Sequence, residues 1–380
     1  MRIYTRYKQM RRKNRSGPDR ALILCIVIVI GLIVAGWIWR KQIAQEEAAA
    51  RANPPRHTNV PPVKPALPVQ VVRSNPPPVV ITRPPVGTNP AKPGYPRPAK
   101  GGLEVQVALA RRGFSPGSLD GSHGSQTRTA LIAFQKHENL PATGESDEIT
   151  RAHLQVETPV MTTYTVTSND LARLLPIGTN WVAKAQQPRL DYETILELVS
   201  EKSRAHPAMI RRLNPGVVWT NVTEGTTLQI LDIAPPQSRE KAAFIRIQLA
   251  ARALDVFDAT TNLIAHFPCS IAQRVEKRPA GELHVKTIAP NPNYLFDPAN
   301  FPESAEARAL TQKMMIPPGP NNPVGTAWIG LDKPGYGIHG TPKPEDVGRT
   351  ESHGCFRLAN WNAEQLVLMC WTGMPVIVEP

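Results

Sequence analysis

The sequence predicts a multidomain fold: a single N-terminal transmembrane helix, a small three-helix domain, an α+β module and a mainly-β sandwich at the C-terminus. Three observations predict it. Residues 21–39 form an apolar run of 19 residues without a charge. Apolar residues recur at helical spacing over residues 101–156. Many short alternating stretches, separated by Gly, Pro and Asn turns, fill residues 241–380.

The apolar run is the predicted transmembrane helix, because about 20 apolar residues span a bilayer. Residues 1–20 form a basic tail with eight Lys and Arg, whereas only Arg40 and Lys41 follow the run closely. The positive-inside rule therefore places the tail in the cytoplasm and residues 40–380 outside. A cleaved signal peptide is the alternative. The length of the run and the lack of a small-x-small site directly after it disfavour that alternative.

Residues 40–100 are predicted to be a Pro-rich disordered linker, with 15 prolines between Pro54 and Pro98. Such a composition buries too little apolar surface to fold. Residues 1–100 hold 18 Lys and Arg against 3 Asp and Glu, whereas residues 101–380 hold 26 against 28. The positive charge therefore belongs to the tail and the linker. This distribution argues against nucleic-acid binding, which needs positive charge on a folded face.

Residues 101–156 are predicted to form three short helices. The first has an apolar face and ends at Gly113, a residue suited to a helix C-cap. The second is predicted over residues 127–137 and the third over residues 147–154, with Gly and Pro turns between them.

Residues 161–233 have the pattern of a strand, two helices and a closing strand. The predicted elements lie, in order, at residues 163–166, 192–203, 207–213 and 227–231. An insertion between Leu171 and Asp191 stretches this pattern. A spacer domain and a binding module are both compatible with it.

Residues 241–380 are predicted to form a β-sandwich or a barrel. The predicted strands lie at residues 243–250, 254–258, 263–270, 324–331 and 375–378. Helical patterning is confined to residues 303–311 and 362–369.

A thiol and two imidazoles occur close together near the C-terminus. Cys355 supplies the nucleophile, and His339 and His353 are the candidate bases near neutral pH. Gly354 allows close approach of a substrate, and its N–H and that of Cys355 are candidate oxyanion donors. Arg357 lies two residues on, on the same face of a strand as Cys355, and could hold a substrate carboxylate or carbonyl. The pattern indicates cysteine-based acyl chemistry.

Two other interpretations of this cluster were weighed. In the first, Cys355 is a buried structural thiol, which leaves the adjacent His, Gly and Arg unexplained. In the second, His339, His353 and Cys355 hold zinc, although no fourth ligand is evident and the spacing matches no standard site. We therefore predict no metal. Cys269 and Cys370 are expected to be buried thiols, and a disulfide between them stays open.

The C-terminal motifs resemble the catalytic domain of L,D-transpeptidases of the YkuD type over about residues 242–380. The resemblance rests on residues 316–325, Trp328, Ile338-His339-Gly340-Thr341 and Ser352-His353-Gly354-Cys355-Phe356-Arg357-Leu358. It implies that Cys355 is the nucleophile, that His339 is the base, and that the Gly340 carbonyl orients this base.

The same resemblance implies roles for the remaining motif residues. His353, Ser352 and Gly354 would support the reaction through orientation or oxyanion binding. Arg357, Trp328 and Thr341 would bind substrate. Residues 291–311 would form a loop or cap over the cleft.

Two more resemblances lie upstream. Residues 101–156 resemble a peptidoglycan-binding domain of the three-helix type, and residues 161–233 resemble a LysM glycan-binding module. The first rests on Val105-Gln106, Leu109, Gly113-Phe114, Pro116-Gly117, Leu119-Asp120-Gly121, Gly124, Thr127, Ala130-Leu131, Phe134-Gln135, Gly144, Thr150 and Leu154. The second rests on the element order and on Asn214-Pro215 after the second helix.

Together the resemblances imply an enzyme of the cell inner membrane whose C-terminal domains act on peptidoglycan in the periplasm. Cys355 would attack the L-to-D bond of a tetrapeptide stem and release D-Ala. The acyl group would then pass to an amine of a second stem or of a wall-anchored protein. No cofactor is implied. An L,D-carboxypeptidase, an amidase that releases wall proteins, and a non-catalytic wall-binding scaffold remain as alternatives.

Overall fold

The computed structural model of the chain describes residues 94–233, 241–350 and 354–380. The predicted tail, the predicted transmembrane helix and most of the predicted linker lie outside the described residues, as do Ser352 and His353. Within the described ranges, no helix combines the length and the apolar character that a membrane span needs.

Residues 101–156, the first module, contain the three predicted helices. They are α1, Gly101–Arg111; α2, Ser125–His137; and α3, Glu148–His153. Gly113 follows the end of α1 with a φ of +91°, the left-handed conformation that terminates a helix and that glycine adopts without strain. The Asp147 side chain caps α3 by accepting a hydrogen bond from the Thr150 N–H at 2.7 Å.

The predicted linker boundary at residue 100 is too late. Strand β1, Arg97–Pro98, pairs antiparallel with β2, Gln155–Val156, and so joins the two ends of the first module. The Arg97 guanidinium also forms an ion pair with Glu104 of α1 at 2.6 Å. Residues 94–100 therefore belong to the folded part, because their backbone and charges are satisfied there rather than by water.

Residues 161–233, the second module, contain the predicted two strands and the two predicted helices, with two further short helices between the first strand and the first predicted helix. Strands β3, Met161–Thr165, and β4, Thr227–Leu231, pair antiparallel. Between them lie α4, Ser168–Ala172; α5, Trp181–Ala185; α6, Ile195–Lys202; and α7, Pro207–Leu213. The predicted insertion supplies α5 and the loops around it.

The two modules share one apolar core. Leu119 of the first module and Leu198 and Ile210 of the second are fully buried in the same cluster. The Leu119 N–H also donates to the Arg204 carbonyl at 2.9 Å. The cluster also includes Phe257 of the C-terminal domain, so the two modules and the C-terminal domain pack against one another.

The C-terminal domain, residues 241–380, is built on a mixed sheet of eight strands. They are β5, Phe244–Gln248; β6, Ala253–Phe257; β7, Leu263–Pro268; β8, Gly281–Pro290; β11, Ala327–Leu331; β12, Gly337–His339; β13, Phe356–Arg357; and β14, Pro375–Glu379. The order across the sheet is β13-β12-β11-β8-β14-β5-β6-β7. Helix α9, Asn360–Met369, contributes Ala363, Leu366 and Met369 to the core of this domain.

The sheet bends and nearly closes on itself. The first half of β8 pairs with β14 and its second half with β11, so this long strand belongs to both layers of the sandwich. At the two edges, Ser270, just after β7, exchanges backbone hydrogen bonds with Arg357 of β13 at 2.9 and 3.0 Å. The predicted mainly-β sandwich is confirmed, with a barrel-like closure at this edge.

A small hairpin covers part of the C-terminal domain. Strands β9, Tyr294–Phe296, and β10, Met314–Ile316, pair antiparallel, and the short helix α8, Ala305–Arg308, lies between them. Trp181, from the insertion of the second module, stacks on Phe296 with ring centroids 4.0 Å apart. The insertion and this hairpin of β9 and β10, which we call the cap hairpin, thus form a third apolar cluster.

Candidate active site

Three neighbouring strands carry His339, Trp328 and Arg357, and Cys355 lies directly before the third of them. Strand β12 pairs antiparallel with β11 and parallel with β13. These registers place His339 opposite Trp328 on one side and opposite Arg357 on the other. Phe356 points into the core, and Cys355 and Arg357 flank it in sequence. Arg357 follows Phe356 in β13, so its side chain lies on the opposite face of the strand. Cys355 lies in the bend directly before β13, so the predicted shared face of Cys355 and Arg357 stays a prediction.

The imidazole of His339 is held by its own chain neighbour. Its Nδ1 atom lies 2.6 Å from the Gly340 carbonyl oxygen, which can only accept a hydrogen bond. The neutral ring must therefore carry its proton on Nδ1. Nε2 is then left with its lone pair, which is the arrangement a general base requires.

The surroundings keep His339 neutral. The residue is 6% exposed. Its ring stacks on that of Trp328 with centroids 5.6 Å apart. Burial lowers the pKa of His339 to about 4, and the charge of Arg357 acts in the same direction, against the hydrogen bond to the Gly340 carbonyl. At neutral pH this imidazole is therefore uncharged and able to accept a proton.

The thiol of Cys355 is also driven towards its neutral form. Burial raises its pKa, and a backbone hydrogen bond from Gly337 and the charge of Arg357 oppose that rise. The Sγ atom lies 3.5 Å from the Gly335 carbonyl oxygen, at the weak end of sulfur hydrogen bonds. Neutral thiol and neutral imidazole are the resting pair, rather than thiolate and imidazolium.

The turn after His339 is packed against a second backbone segment. A Cβ atom on Gly340 would lie 2.3 Å from Asn360 Oδ1, and one on Gly325 would lie 2.6 Å from the Gly340 carbonyl carbon. Gly325 also has a φ of +63°. Both positions therefore need glycine, because no larger residue fits between the two segments and the Asn360 side chain.

Asn360, at the start of α9, joins these two segments. It is 1% exposed, and its Oδ1 accepts hydrogen bonds from the Thr341 N–H at 2.9 Å and from the Thr326 N–H at 3.2 Å. Its Nδ2 donates to the Pro320 carbonyl at 3.2 Å and to Glu201 at 3.0 Å. Sequence reasoning missed Asn360 and Glu201, because no local motif marks an amide that acts across the fold.

The other predicted site residues have different surroundings. Thr341 is buried, and its Oγ1 accepts a hydrogen bond from the Lys343 N–H at 3.3 Å, so its substrate contact stays a prediction. Trp328 packs on His339, which makes it a wall of the site. Gly354 lies next to Cys355 near the ring of Tyr336, and its oxyanion role stays a prediction. The roles of Ser352 and His353 concern residues outside the described ranges.

Tyr294 of the cap hairpin is another residue that the sequence did not single out. Burial raises its pKa to about 12, and electrostatic interaction with Cys355 contributes to the rise. Tyr294 therefore lies near enough to Cys355 for the charges of the two groups to interact. No sequence signal distinguished this tyrosine, because its proximity to Cys355 depends on how the hairpin folds over the sheet.

The remaining cysteines lie away from this chemistry. Cys269 and Cys370 are free, buried thiols, as expected. Burial raises the pKa of both, which keeps them protonated and unreactive. In the part of the chain that the structure describes, no group of three or more His, Cys, Asp or Glu side chains could hold a metal ion.

Two known families match parts of this chain. Residues 242–378 match the family described as "L,D-transpeptidase catalytic domain" (YkuD). Residues 103–154 match the family described as "Putative peptidoglycan binding domain". The second match covers the three helices of the first module.

Curated relatives agree with the first match. The Bacillus licheniformis protein named "Putative L,D-transpeptidase YkuD" is 24% identical over 185 residues, which are 49% of this chain and 93% of that protein. The Bacillus subtilis protein named "Putative L,D-transpeptidase YqjB" is 35% identical over 106 residues, which are 26% of this chain and 51% of that protein.

Solved structures of L,D-transpeptidases are also similar to this chain. The enzyme from Mycobacterium smegmatis aligns at 16% identity with a TM-score of 0.29, over 42% of this chain and 76% of the other. The enzyme from Xylanimonas cellulosilytica aligns at 16% identity and a TM-score of 0.29, over 77% of this chain and 100% of the other.

Proposed function

We propose, from the YkuD-type L,D-transpeptidase catalytic domain that residues 242–378 form, that this protein is a peptidoglycan-modifying cysteine acyltransferase. The observation that carries the proposal is the neutral His339 ring, held by the Gly340 carbonyl on β12, which pairs with β13 directly after Cys355. Acyl transfer through a thioester needs a nucleophile with a base near it.

The first half-reaction forms a thioester. As Cys355 Sγ attacks the carbonyl carbon of the third stem residue, its proton passes to His339 Nε2, because the resting thiol is neutral. The carbonyl oxygen becomes an oxyanion, for which the N–H groups of Gly354 and Cys355 are the donors we propose. The imidazolium then gives its proton to the departing nitrogen, and D-Ala leaves as the amine.

The second half-reaction regenerates the thiol. An acceptor amine attacks the thioester carbonyl and loses a proton to His339, a new amide bond forms, and Cys355 leaves and regains its proton. Neutral His339 serves both steps in the same tautomer, since Nδ1 stays bonded to the Gly340 carbonyl. We further propose that Arg357 attracts a carboxylate of the substrate, which its electrostatic interaction with Cys355 supports.

The rest of the chain is consistent with a substrate in the cell wall. The first module matches a peptidoglycan-binding family, which supports wall binding through residues 103–154. We further propose that residues 21–39 anchor the protein in the inner membrane and that residues 40–380 lie in the periplasm. Glycan binding by the LysM-like second module belongs to the same proposal and rests on the sequence resemblance, including Asn214-Pro215 after the helix at 207–213.

The test is mass spectrometry of the purified chain incubated with a disaccharide-tetrapeptide. A cross-linked dimer that is lighter than two monomers by one D-Ala, and that Cys355→Ala does not form, is the expected result. A tripeptide monomer as the sole product would show that the acyl group goes to water instead of an amine, which is the carboxypeptidase alternative. Formation of as much dimer by Cys355→Ala as by the wild type would overturn the cysteine mechanism. Binding of Cys355→Ala to sacculi should persist, since the first module is intact.

A further inference from the structure

The second module contacts the wall of the active site through acidic side chains of α6. Glu201 Oε1 accepts a hydrogen bond from Asn360 Nδ2 at 3.0 Å, and Oε2 lies 3.3 Å from the same nitrogen. One turn earlier, Glu197 Oε1 accepts from Asn321 Nδ2 at 2.6 Å. Residues 197 and 201 share one helix face because they are four apart. This face therefore meets the loop formed by residues 316–325.

Backbone contacts join the same two surfaces. The Leu190 N–H donates to the Pro318 carbonyl at 2.8 Å, and the Asn321 N–H donates to the Leu190 carbonyl at 3.0 Å. Gly319 has a φ of +139°, and a Cβ atom there would lie 2.1 Å from the Leu190 carbonyl oxygen. The contact is therefore close enough to require glycine, which distinguishes it from a loose contact between neighbouring domains.

Glu201 helps to fix which way the buried amide of Asn360 points. The Oδ1 atom of Asn360 faces two backbone donors, the N–H groups of Thr326 and Thr341. A flipped amide would place its NH₂ group against those donors and its oxygen against the Glu201 carboxyl and the Pro320 carbonyl. A carboxyl group at position 201 accepts a hydrogen bond, so it favours the observed orientation.

That orientation is transmitted to the catalytic base through backbone alone. Asn360 holds the Thr341 N–H, Thr341 follows Gly340, and the Gly340 carbonyl lies 2.6 Å from His339 Nδ1. A displacement of about 1 Å at a reacting group can cost on the order of 100-fold in rate. The chain of contacts is short and buried enough for a change at Glu201 to reach His339.

We propose that Glu201 of the second module is a positioning residue for His339, acting through Asn360 and the Gly340 backbone. The second module is then part of the catalytic apparatus. This inference rests on the proposed function of the Cys355 and His339 pair. In this role Glu201 acts without contact to the substrate.

The test compares two rates at Cys355 in the whole purified chain. One is acylation by imipenem, which requires the transpeptidase chemistry. The other is alkylation by iodoacetamide, which requires only a reactive thiol. Glu201→Ala should slow both by roughly 10- to 100-fold, in the direction of the His339→Gln variant. Glu201→Gln, which keeps an acceptor for Asn360, should recover most of that loss.

Glu224→Ala is the matched control. Glu224 is an exposed glutamate of the same module, in the turn before β4, and its replacement should leave both rates within twofold. On a soluble tetrapeptide, Glu201→Ala should lower kcat with little change in KM. A purely stabilising role would instead lower the fraction of folded protein and leave the kcat of that fraction unchanged.

A polarity swap keeps the test decisive if Glu201→Ala folds poorly. Asn360→Asp places two carboxyl groups against each other and should slow acylation at least 10-fold. The double variant with Glu201→Gln places a donor opposite the new carboxylate and should recover part of the loss, a coupling typical of residues in contact. Additive losses in the swap would overturn the positioning role.

The outcomes separate the two claims. If the wild type resists imipenem while Glu201→Ala still slows alkylation, the proposed function fails and the positioning role stands. If both rates of a folded Glu201→Ala variant stay within twofold of wild type, the positioning role fails and the proposed function stands.

Discussion

The Nδ1 atom of His339 lies 2.6 Å from the carbonyl oxygen of Gly340, the next residue in the chain. Because a carbonyl accepts and cannot donate, this contact selects the tautomer with a free Nε2 lone pair. The imidazole is therefore prepared as a base without help from a carboxylate. Its position depends on the backbone of Gly340, which in turn depends on Asn360.

Replacement of His339 by Gln should lower acyl transfer by about 10²–10⁴-fold, the usual contribution of a general base. Gln keeps a polar group of similar size but cannot accept the thiol proton at neutral pH. Mass spectrometry of the cross-linked product measures the rate. His284→Gln, at a half-buried position of β8, is the control and should retain wild-type transfer. Transfer by His339→Gln within tenfold of wild type would mean that another group is the base.

Acylation by imipenem should not fall with a midpoint near pH 6.5 as the pH is lowered. Burial lowers the pKa of His339 to about 4, so the base stays neutral through the range in which an ordinary histidine becomes charged. The acidic loss of rate should therefore lie near pH 4. Rates measured in steps from pH 4 to pH 7.5 decide the point, with circular dichroism at each pH to follow unfolding.

The lowered pKa of His339 also makes the free energy of unfolding depend on pH. Between about pH 6.5 and pH 4 the unfolded chain binds a proton at this histidine and the folded chain does not. This residue therefore lowers the free energy of unfolding as the pH falls through that window. His339→Gln should remove that part of the pH dependence. Urea titrations at pH 5 and pH 7 would show a smaller difference for the variant than for the wild type.

Glu201→Gln should become progressively more stable than wild type as the pH rises from 4.5 to 8. Burial raises the pKa of Glu201 to about 8, and Asn360 opposes the rise. Between its ordinary value of 4.5 and about 8, the folded chain holds a proton that the unfolded chain has lost. The neutral side chain of Glu201 therefore contributes its full stability below pH 4.5. This contribution is lost as the pH rises towards about 8, by at most about 1.4 kcal/mol per pH unit.

The charged neighbours of Glu201 all act in one direction. Glu197, Glu345 and Glu364 are acidic and disfavour the ionised form of Glu201. The charge of Glu201 in turn contributes to the raised pKa of Tyr192. Melting temperatures of wild type, Glu201→Gln and Glu224→Gln at pH 5, 6.5 and 8 provide the measurement. A constant difference between wild type and Glu201→Gln across these pH values would show that Glu201 titrates normally.

Trp181→Ala should destabilise the cap hairpin by roughly 2–3 kcal/mol, less than the ~3–5 kcal/mol of a fully buried large aromatic. Trp181 stacks on Phe296 at 4.0 Å, and its neighbours Tyr294 and Phe301 lie 6.4 and 6.0 Å away. Hydrogen exchange in β9 and β10 should accelerate. KM for a soluble tetrapeptide should rise, since the charge of Tyr294 in the hairpin interacts with that of Cys355.

Val182→Ala is the control for Trp181→Ala, because Val182 follows Trp181 in α5 but is 41% exposed. This substitution should leave hydrogen exchange in the hairpin unchanged. Equal exchange in wild type and Trp181→Ala would mean that the insertion does not hold the cap.

Some parts of the fold could be predicted because their signals are local. The three helices of the first module follow from apolar spacing and from Gly113, and α7 lies at the predicted residues 207–213. Strand β8 was missed, although it is the longest in the sheet. Its alternation shifts between Val285 and Thr287, where the register with β11 is irregular at Gly330 and Leu331, so the period of two is lost within the strand.

The sequence by itself determined which residues are candidates for the chemistry: Cys355, His339 and Arg357 occur in short motifs whose residue types favour cysteine-based acyl transfer over a structural thiol or a zinc site. Only the tertiary structure decided that His339 and Cys355 are both driven towards neutrality, because burial is a property of the packed fold. Only the tertiary structure brought Glu201 to Asn360, 159 positions away. A linear pattern cannot encode that contact, since it depends on how the second module docks on the sheet.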